Sequence, residues 1–388
     1  MKYQPGQRHL ARNILNMSTT FSSLPIVDLS PLQSPAGLSE SDQLALSNKL
    51  YDVFTTTGFA YLVNAPLTFK HADVFGLALE FFNLPLDEKM KLAKKTFQPE
   101  NQNTYRGYFP VQPTDASDNL KEGFEIGPEQ ARQHSATGQE SRFHLTEPNI
   151  WPDSTTYPSR PRLEQLYSEL QSLSSTILSL LASSLGKPAE FFTPYITDSL
   201  STLRLLHYPP STSTSDNATE IYNETSGTPP PEPFDPIKLS CTPHTDSGIL
   251  TLLHQDATGG LEVQDSSGKW VPAPYVPESI VVNIGDLMAM VSGGRFVATM
   301  HRVRAPPPPP AAAVAPPRMG VDMQFEEDEE LTPKFGRFSV PFFFEPGEKC
   351  FVHSVDVNVD AAGSNQGVIY GDHVRAKMES FVEYKRDS

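Results

Sequence analysis

The chain has 388 residues, 38% of them hydrophobic and 20% charged, which is enough apolar material for a large core and too much for an extended disordered polypeptide. A formal net charge of −16 weighs against a nucleic-acid partner, and no apolar run approaches the roughly 18 residues that would cross a bilayer. Two cysteines, Cys241 and Cys350, cannot build a disulfide framework and fit a reducing, cytoplasmic setting.

Residues 1–27 contain no acid and carry Lys2, Arg8 and Arg12, with Ser18, Thr19, Thr20, Ser22 and Ser23 following. Organelle transit peptides share this composition. The preferred expectation is a disordered N-terminus over residues 1–24, with Met17 as an alternative start. Pro25-Ile-Val-Asp-Leu29 is the first strand-like text. Ser39 opens a helix with Asp42 three residues on as a capping-box-like acid. Leu46, Leu50, Val53 and Phe54 form its apolar stripe, and Gly58 stops it. Phe59–Val63 reads as a strand and Phe69–Phe82 as a second helix. Leu163, Leu166, Leu170, Leu173, Ile177, Leu180, Leu181 and Leu185 recur at spacings of three and four, closed by Gly186 and Pro188. That stripe predicts a long helix lying against a β-barrel.

From Leu203 the pattern changes to short strands with glycine punctuation. They are expected at Leu203–His207, Gly248–His254, Leu261–Gln264, Trp270–Ala273, Ser279–Ile284, Thr299–Val303 and Phe338–Phe344, a spacing that fits a β-sandwich or jelly roll. Two stretches interrupt them. Residues 209–236 are rich in Ser, Thr and Pro; residues 305–333 hold a five-proline run and the acidic run Glu326–Glu330. Neither has the apolar content for a core, so both are expected to be loops. Loops beside a site also serve as lids. Residues 349–388 are expected to form a C-terminal extension with a helix.

The chemistry concentrates in four places. His244 and Asp246 are two apart, which on a strand puts both side chains on one face. His301 belongs to a second strand. Two imidazoles and a carboxylate are the ligands of an open non-haem Fe(II) site. Arg337-Phe338-Ser339 places a guanidinium fork and a hydroxyl on one strand face, a pair suited to gripping a carboxylate. Cys241, three residues before His244, is a small packed residue or a further ligand. His254 is expected to lie outside the metal ligands, and no role is assigned to the remaining histidines.

These residues resemble the iron(II)- and 2-oxoglutarate-dependent dioxygenases of the isopenicillin N synthase-like family. The similarity runs from Pro25–Leu29 to Val368–Asp372. It includes Gly58–Asn64, Arg106-Gly-Tyr108, Lys121-Glu-Gly-Phe-Glu125, Asn283-Ile-Gly-Asp286, His301-Arg-Val303 and Arg337–Phe343. The resemblance implies an α+β fold: a double-stranded β-helix (jelly-roll) core over residues 199–348, with a helical N-terminal region, 25–198, packed on it. It implies that His244, Asp246 and His301 hold Fe(II). Arg337 and Ser339 would bind the distal carboxylate of 2-oxoglutarate, with Tyr208 beside them. It further implies oxidation of a small organic molecule with O2, by hydroxylation, desaturation or ring closure, and ascorbate as a candidate reductant. The enzyme would be a monomer without nucleic-acid or membrane partners. Two features depart from the pattern. Leu206 stands where many plant relatives carry asparagine, and the His301-to-Arg337 spacing is stretched. An oxidase of this fold that uses no 2-oxoglutarate, and a catalytically silent binding protein, are the competing expectations. The scarcity of positive charge weighs against a highly anionic substrate.

Overall fold

The computed structural model describes residues 20–111, 120–129, 143–210, 239–306, 335–356 and 367–378. The expected insertions lie outside these residues apart from their first two positions each, as do Met17 and the acidic run. Of the expected disordered N-terminus, 1–24, residues 1–19 lie outside the described residues. Leu24 is buried, and Phe21 packs beside it against Phe59, Tyr61 and Val281. No helix among the described residues is long and apolar enough to cross a membrane.

Strand β1 (Ile26–Asp28) leads to helix α1 (Glu40–Thr56), whose first turn is capped by the Ser39 hydroxyl accepting from the Asp42 amide. Gly58, at φ +69°, turns the chain into β2 (Phe59–Val63). A Cβ there would sit 2.2 Å from the Val297 carbonyl oxygen, so only glycine fits. Helix α2 (His71–Phe82) starts two residues later than its apolar pattern suggests, because the Asp73 carboxylate accepts from the Lys70 amide and fixes the first turn there. The short α3 (Leu86–Met90) precedes β3 (Gly107–Phe109) and β4 (Glu122–Ile126). The leucine stripe becomes α4 (Arg160–Ser184), with Leu163, Leu166, Leu170, Leu173, Ile177, Leu180 and Leu181 all buried. At about 1.5–3 kcal/mol per buried leucine, this face is a large share of the core. The brief α5 (Thr193–Ile196) follows.

The second half supplies β5 (Thr202–Tyr208), β6 (Leu239–His244), β7 (Leu250–Gln255), β8 (Leu261–Gln264), β9 (Trp270–Pro272) and β10 (Ile280–Ile284). Then come α6 (Asp286–Val291), β11 (His301–Arg304), β12 (Arg337–Phe344), β13 (Phe351–His353), β14 (Gly367–Ile369) and α7 (Tyr370–Met378). A major sheet runs β1-β2-β10-β7-β12-β5-β4-β3, and a minor sheet runs β6-β11-β8-β9. This is the mixed α+β architecture of a jelly-roll core with helices packed on it. Both halves of the chain build the major sheet.

Strand alternation divides that sheet into two faces. Phe338, Val340, Phe342 and Phe344 of β12 point to the helices, where Tyr167 of α4 meets Phe342 at 5.3 Å and Phe82 of α2 meets Phe338 at 6.1 Å between ring centroids. The other face looks toward the minor sheet. Register places Arg337 opposite Tyr208 and Ser339 between Leu206 and Gln255 on that face. Thr251 and Asn283 are cross-strand partners on it as well.

Candidate active site

One correction concerns how His244 and Asp246 come together. They do not share a strand face. His244 is the last residue of β6, and Asp246 lies in the connection to β7. Strand β6 itself was not foreseen, since Pro243 and the polar Ser240 and Thr242 disguise it. Its edge position in the minor sheet tolerates the proline. His301 opens β11 and is the direct cross-strand partner of His244, so the two imidazoles face each other with centroids 4.2 Å apart.

One ligand atom from each of His244, Asp246 and His301 lies within 4.8 Å of the others, the only such group of metal-ligating side chains among the described residues. Asp246 Oδ1 is 3.9 Å from His244 Nε2 and 3.8 Å from His301 Nε2. The surroundings orient each donor. His244 Nδ1 faces the Thr242 carbonyl at 2.8 Å, and His301 Nδ1 faces the Thr299 carbonyl at 3.1 Å. Donating Nδ1–H to those oxygens leaves the Nε2 lone pair toward the partner groups. Asp246 Oδ2 accepts from Thr251 Oγ1 at 2.5 Å and from Asn283 Nδ2 at 2.8 Å, leaving Oδ1 for the cluster. Phe59 packs edge-on against the His301 ring at 5.2 Å. The Asp246 loop is pressed onto the start of α6: a Cβ on Gly285 would lie 2.3 Å from the Gly248 oxygen and 3.1 Å from the Asp246 oxygen.

Burial pushes the His301 imidazole down to about 4, so it is neutral with a free lone pair at physiological pH. Burial opposes ionisation of Asp246, but His301, His244 and the two hydrogen bonds hold its carboxyl below the usual range. Burial also disfavours charge on His244, yet the Cys241 sulfur and Asp246 outweigh it and raise the imidazole to about 9. The donor set of two ring nitrogens and one carboxylate oxygen, with no fourth side-chain ligand in the group, suits a borderline metal kept open for exogenous ligands.

Further along the inner face, Arg337 is 1% exposed. Its Nε donates to the Gly259 carbonyl at 2.6 Å, and its guanidinium covers the Tyr208 ring at 4.8 Å. Both Nη atoms are buried without a hydrogen-bond partner among the described residues. Two parallel orphan donors on a fixed fork are the complement of a carboxylate. Ser339 and Tyr208 are buried on the same face, 2% and 3% exposed. Asp256 lies close enough for Arg337 to favour its charge, although burial dominates and raises its carboxyl. His254 points to the opposite face, against His71. Cys241 reaches His244 through its sulfur, 3.7 Å from the ring Nδ1, on the side away from Nε2.

The sequence assigned no role to Thr251, Asp256, Asn283 or Gly285, although the last two fall in the Asn283–Asp286 text of the family resemblance. Alternation along β10 could have found Asn283, the polar side chain within a strand otherwise made of Ile280, Val281, Val282 and Ile284.

The chain matches two families: the 2OG-Fe(II) oxygenase superfamily over residues 201–346, and the non-haem dioxygenase in morphine synthesis N-terminal family over residues 24–154. Clavatol oxidase claD of Penicillium crustosum is 32% identical over 72% of this chain and 80% of its own length. Homoarginine-6-hydroxylase 2-ODD-233 of Oryza sativa subsp. japonica is 28% identical over 93% of this chain and 98% of its own. Among solved structures, a full-length Neurospora crassa protein in complex with alpha-KG and thymine superposes with a TM-score of 0.65 at 23% identity, covering 91% of this chain and 96% of that one, which speaks to the fold. With its converging His–Asp–His cluster and this relatedness, the chain belongs to the 2OG-Fe(II) oxygenase superfamily and is an Fe(II)- and 2-oxoglutarate-dependent oxidoreductase.

Proposed function

We propose that His244 and His301, through Nε2, and Asp246, through Oδ1, hold Fe(II), and that Arg337, Ser339 and Tyr208 seat the distal carboxylate of 2-oxoglutarate. The observation that carries this is the pair of orphan Nη donors of Arg337 on the same inner face as the Asp246 anchors Thr251 and Asn283. When bound, the metal and co-substrate supply O2 activation coupled to decarboxylation of 2-oxoglutarate to succinate and CO2. The protein's residues perform the rest. The Arg337 fork and the Tyr208 ring fix the co-substrate's far end. Thr251 and Asn283 hold the Asp246 carboxylate at one angle. Phe59, Leu206 and Phe343 give the inner face an apolar lining that excludes water from the reacting centre.

The substrate is a small organic molecule of secondary metabolism, oxidised by hydroxylation, desaturation or ring closure. The names of the relatives, an oxidase of clavatol and a hydroxylase of homoarginine, support that class. We assign the iron and co-substrate chemistry to residues 199–348, with 25–198 and 349–388 closing the barrel around them. The enzyme acts as a monomer in the cytoplasm with ascorbate as reductant; two cysteines that form no disulfide support a reducing setting. The test is iron content and succinate formation in His301→Ala. Loss of both with an unchanged melting temperature is expected, and retained iron with retained turnover would overturn the assignment.

A further inference from the structure

The C-terminal helix α7 is fastened to the segment that follows β12. Its first residue, Tyr370, is buried, and the Tyr370 and Gly371 amides donate to the Cys350 and Glu348 carbonyls at 3.0 and 2.9 Å. Arg375, one turn on from Gly371, pairs with the Glu348 carboxylate. Helical spacing puts His373 and Lys377, four residues apart, on the opposite side. That side meets the connection that carries Asp246. His373 hydrogen-bonds the backbone of Ser247, the residue after the aspartate. Lys377 Nζ donates to Asp286 Oδ2 at 2.8 Å. Asp286 opens α6, and its amide donates to the Asp246 carbonyl at 2.7 Å; the Leu287 amide donates to the Gly248 carbonyl at 3.1 Å. Ser247 is thus gripped by α7, its two neighbours are gripped by α6, and Lys377 ties the two helices together.

We infer that His373 and Lys377 are positioning residues for the metal centre: through Ser247 and Asp286 they set where the Asp246 carboxylate stands relative to His244 and His301. The inference rests on the proposed reading of Asp246 as a metal ligand. His244 and His301 end and open paired strands, so a ladder fixes their backbones. Asp246 lies between β6 and β7 and has no ladder. Thr251 and Asn283 turn its carboxylate, but the place of its backbone depends on the contacts of the connection itself. Those contacts come from α6 and α7, and a small displacement of one ligand out of three weakens the hold on a metal.

The test titrates the full chain with Co(II) and follows its visible ligand-field bands, a readout that lower stability leaves unmoved while the protein stays folded. The Lys377 side chain is 36% exposed, so Lys377→Met leaves no void in the core. Lys377→Met and His373→Leu should each weaken Co(II) by about threefold to tenfold, less than the roughly 10–100-fold of a group bonded directly to a ligand, because one residue stands between. Lys377→Arg should recover most of the loss. Asp286→Asn should weaken Co(II) by the same factor as Lys377→Met, and the pair together should lose no more than either alone, since the lysine acts through Asp286. The inference is overturned if Lys377→Met or His373→Leu stays within threefold of wild type, if Lys377→Arg binds no better than Lys377→Met, or if the Lys377 and Asp286 losses add. Wild-type Co(II) affinity in Asp246→Ala would instead sink the proposed metal site.

Discussion

Arg337→Lys is the most informative single substitution, because the structure fixes what it removes. The arginine is 1% exposed, so solvent screening does not discount its contacts. It makes one bond to the protein, from Nε to the Gly259 carbonyl at 2.6 Å, which aims the two Nη donors. Those donors are buried and without partners among the described residues. A carboxylate filling them gains two charge-assisted bonds, each worth about 1.5–3 kcal/mol. Lysine keeps the charge and makes one such bond at most from a flexible stem. The expected loss is therefore about 1.5–3 kcal/mol of 2-oxoglutarate binding, a roughly tenfold to 150-fold weaker Kd. Anaerobic calorimetric titration of the iron-loaded variant with 2-oxoglutarate measures this directly. Fe(II) affinity should not change, since Arg337 touches none of His244, Asp246 or His301. A Kd within threefold of wild type would refute the reasoning and leave the orphan fork unexplained.

Asn283→Ala removes one of the two donors to Asp246 Oδ2 and should lower Fe(II) affinity by roughly 10–100-fold at little cost in stability, as read by metal competition; an unchanged affinity would show that Thr251 alone fixes the carboxylate. Burial holds His254 down at about 3, below its unfolded value of 6.5, so its contribution to stability is present above pH 6.5 and is lost as pH falls toward 3. Between pH 6.5 and 5 that is about 2 kcal/mol, so His254→Leu should show a shallower acid slope in urea unfolding, and equal slopes would remove His254 as the cause. A chain starting at Met17 should melt with the full chain, whereas one starting at Pro25 also deletes buried Leu24 and should lose about 1.5–3 kcal/mol; equal stability of the two would mean the segment ahead of β1 contributes nothing.

The legible parts of this chain were those where one physical rule dominates. Ser39 and Asp42 announce the start of α1 because capping is local, and the leucine period of α4 announces a buried face because apolar side chains recur along one side of the helix. The proposed iron ligands were legible as residue types, and the strand pairing of His244 with His301 made those two neighbours. The expected strand geometry of His244 and Asp246 failed because a bulged edge strand ends at the histidine and a loop, pinned by Gly248 against Gly285, carries the aspartate. β4 was invisible for a different reason. Two of its five residues are the acids Glu122 and Glu125, which give no apolar alternation, yet both are buried in ion pairs, Glu122 with Lys89 and Glu125 with Lys94 and Arg204. No periodicity rule anticipates charged side chains that satisfy one another inside a sheet.

The order of the major sheet bears on how the chain can be cut. β1–β2 and β3–β4, all from the first third of the sequence, occupy its two opposite ends, and β10-β7-β12-β5 fill the middle. The outermost strands, β1 and β3, are three residues long, the kind of short edge that resists pairing with a neighbouring molecule. A fragment beginning near residue 199 would carry the proposed iron ligands but present β10 and β5 as bare edges of five and seven residues. Such a fragment should precipitate or pair edge to edge, and supplying residues 20–198 separately should restore it to solution by adding a strand pair at each end.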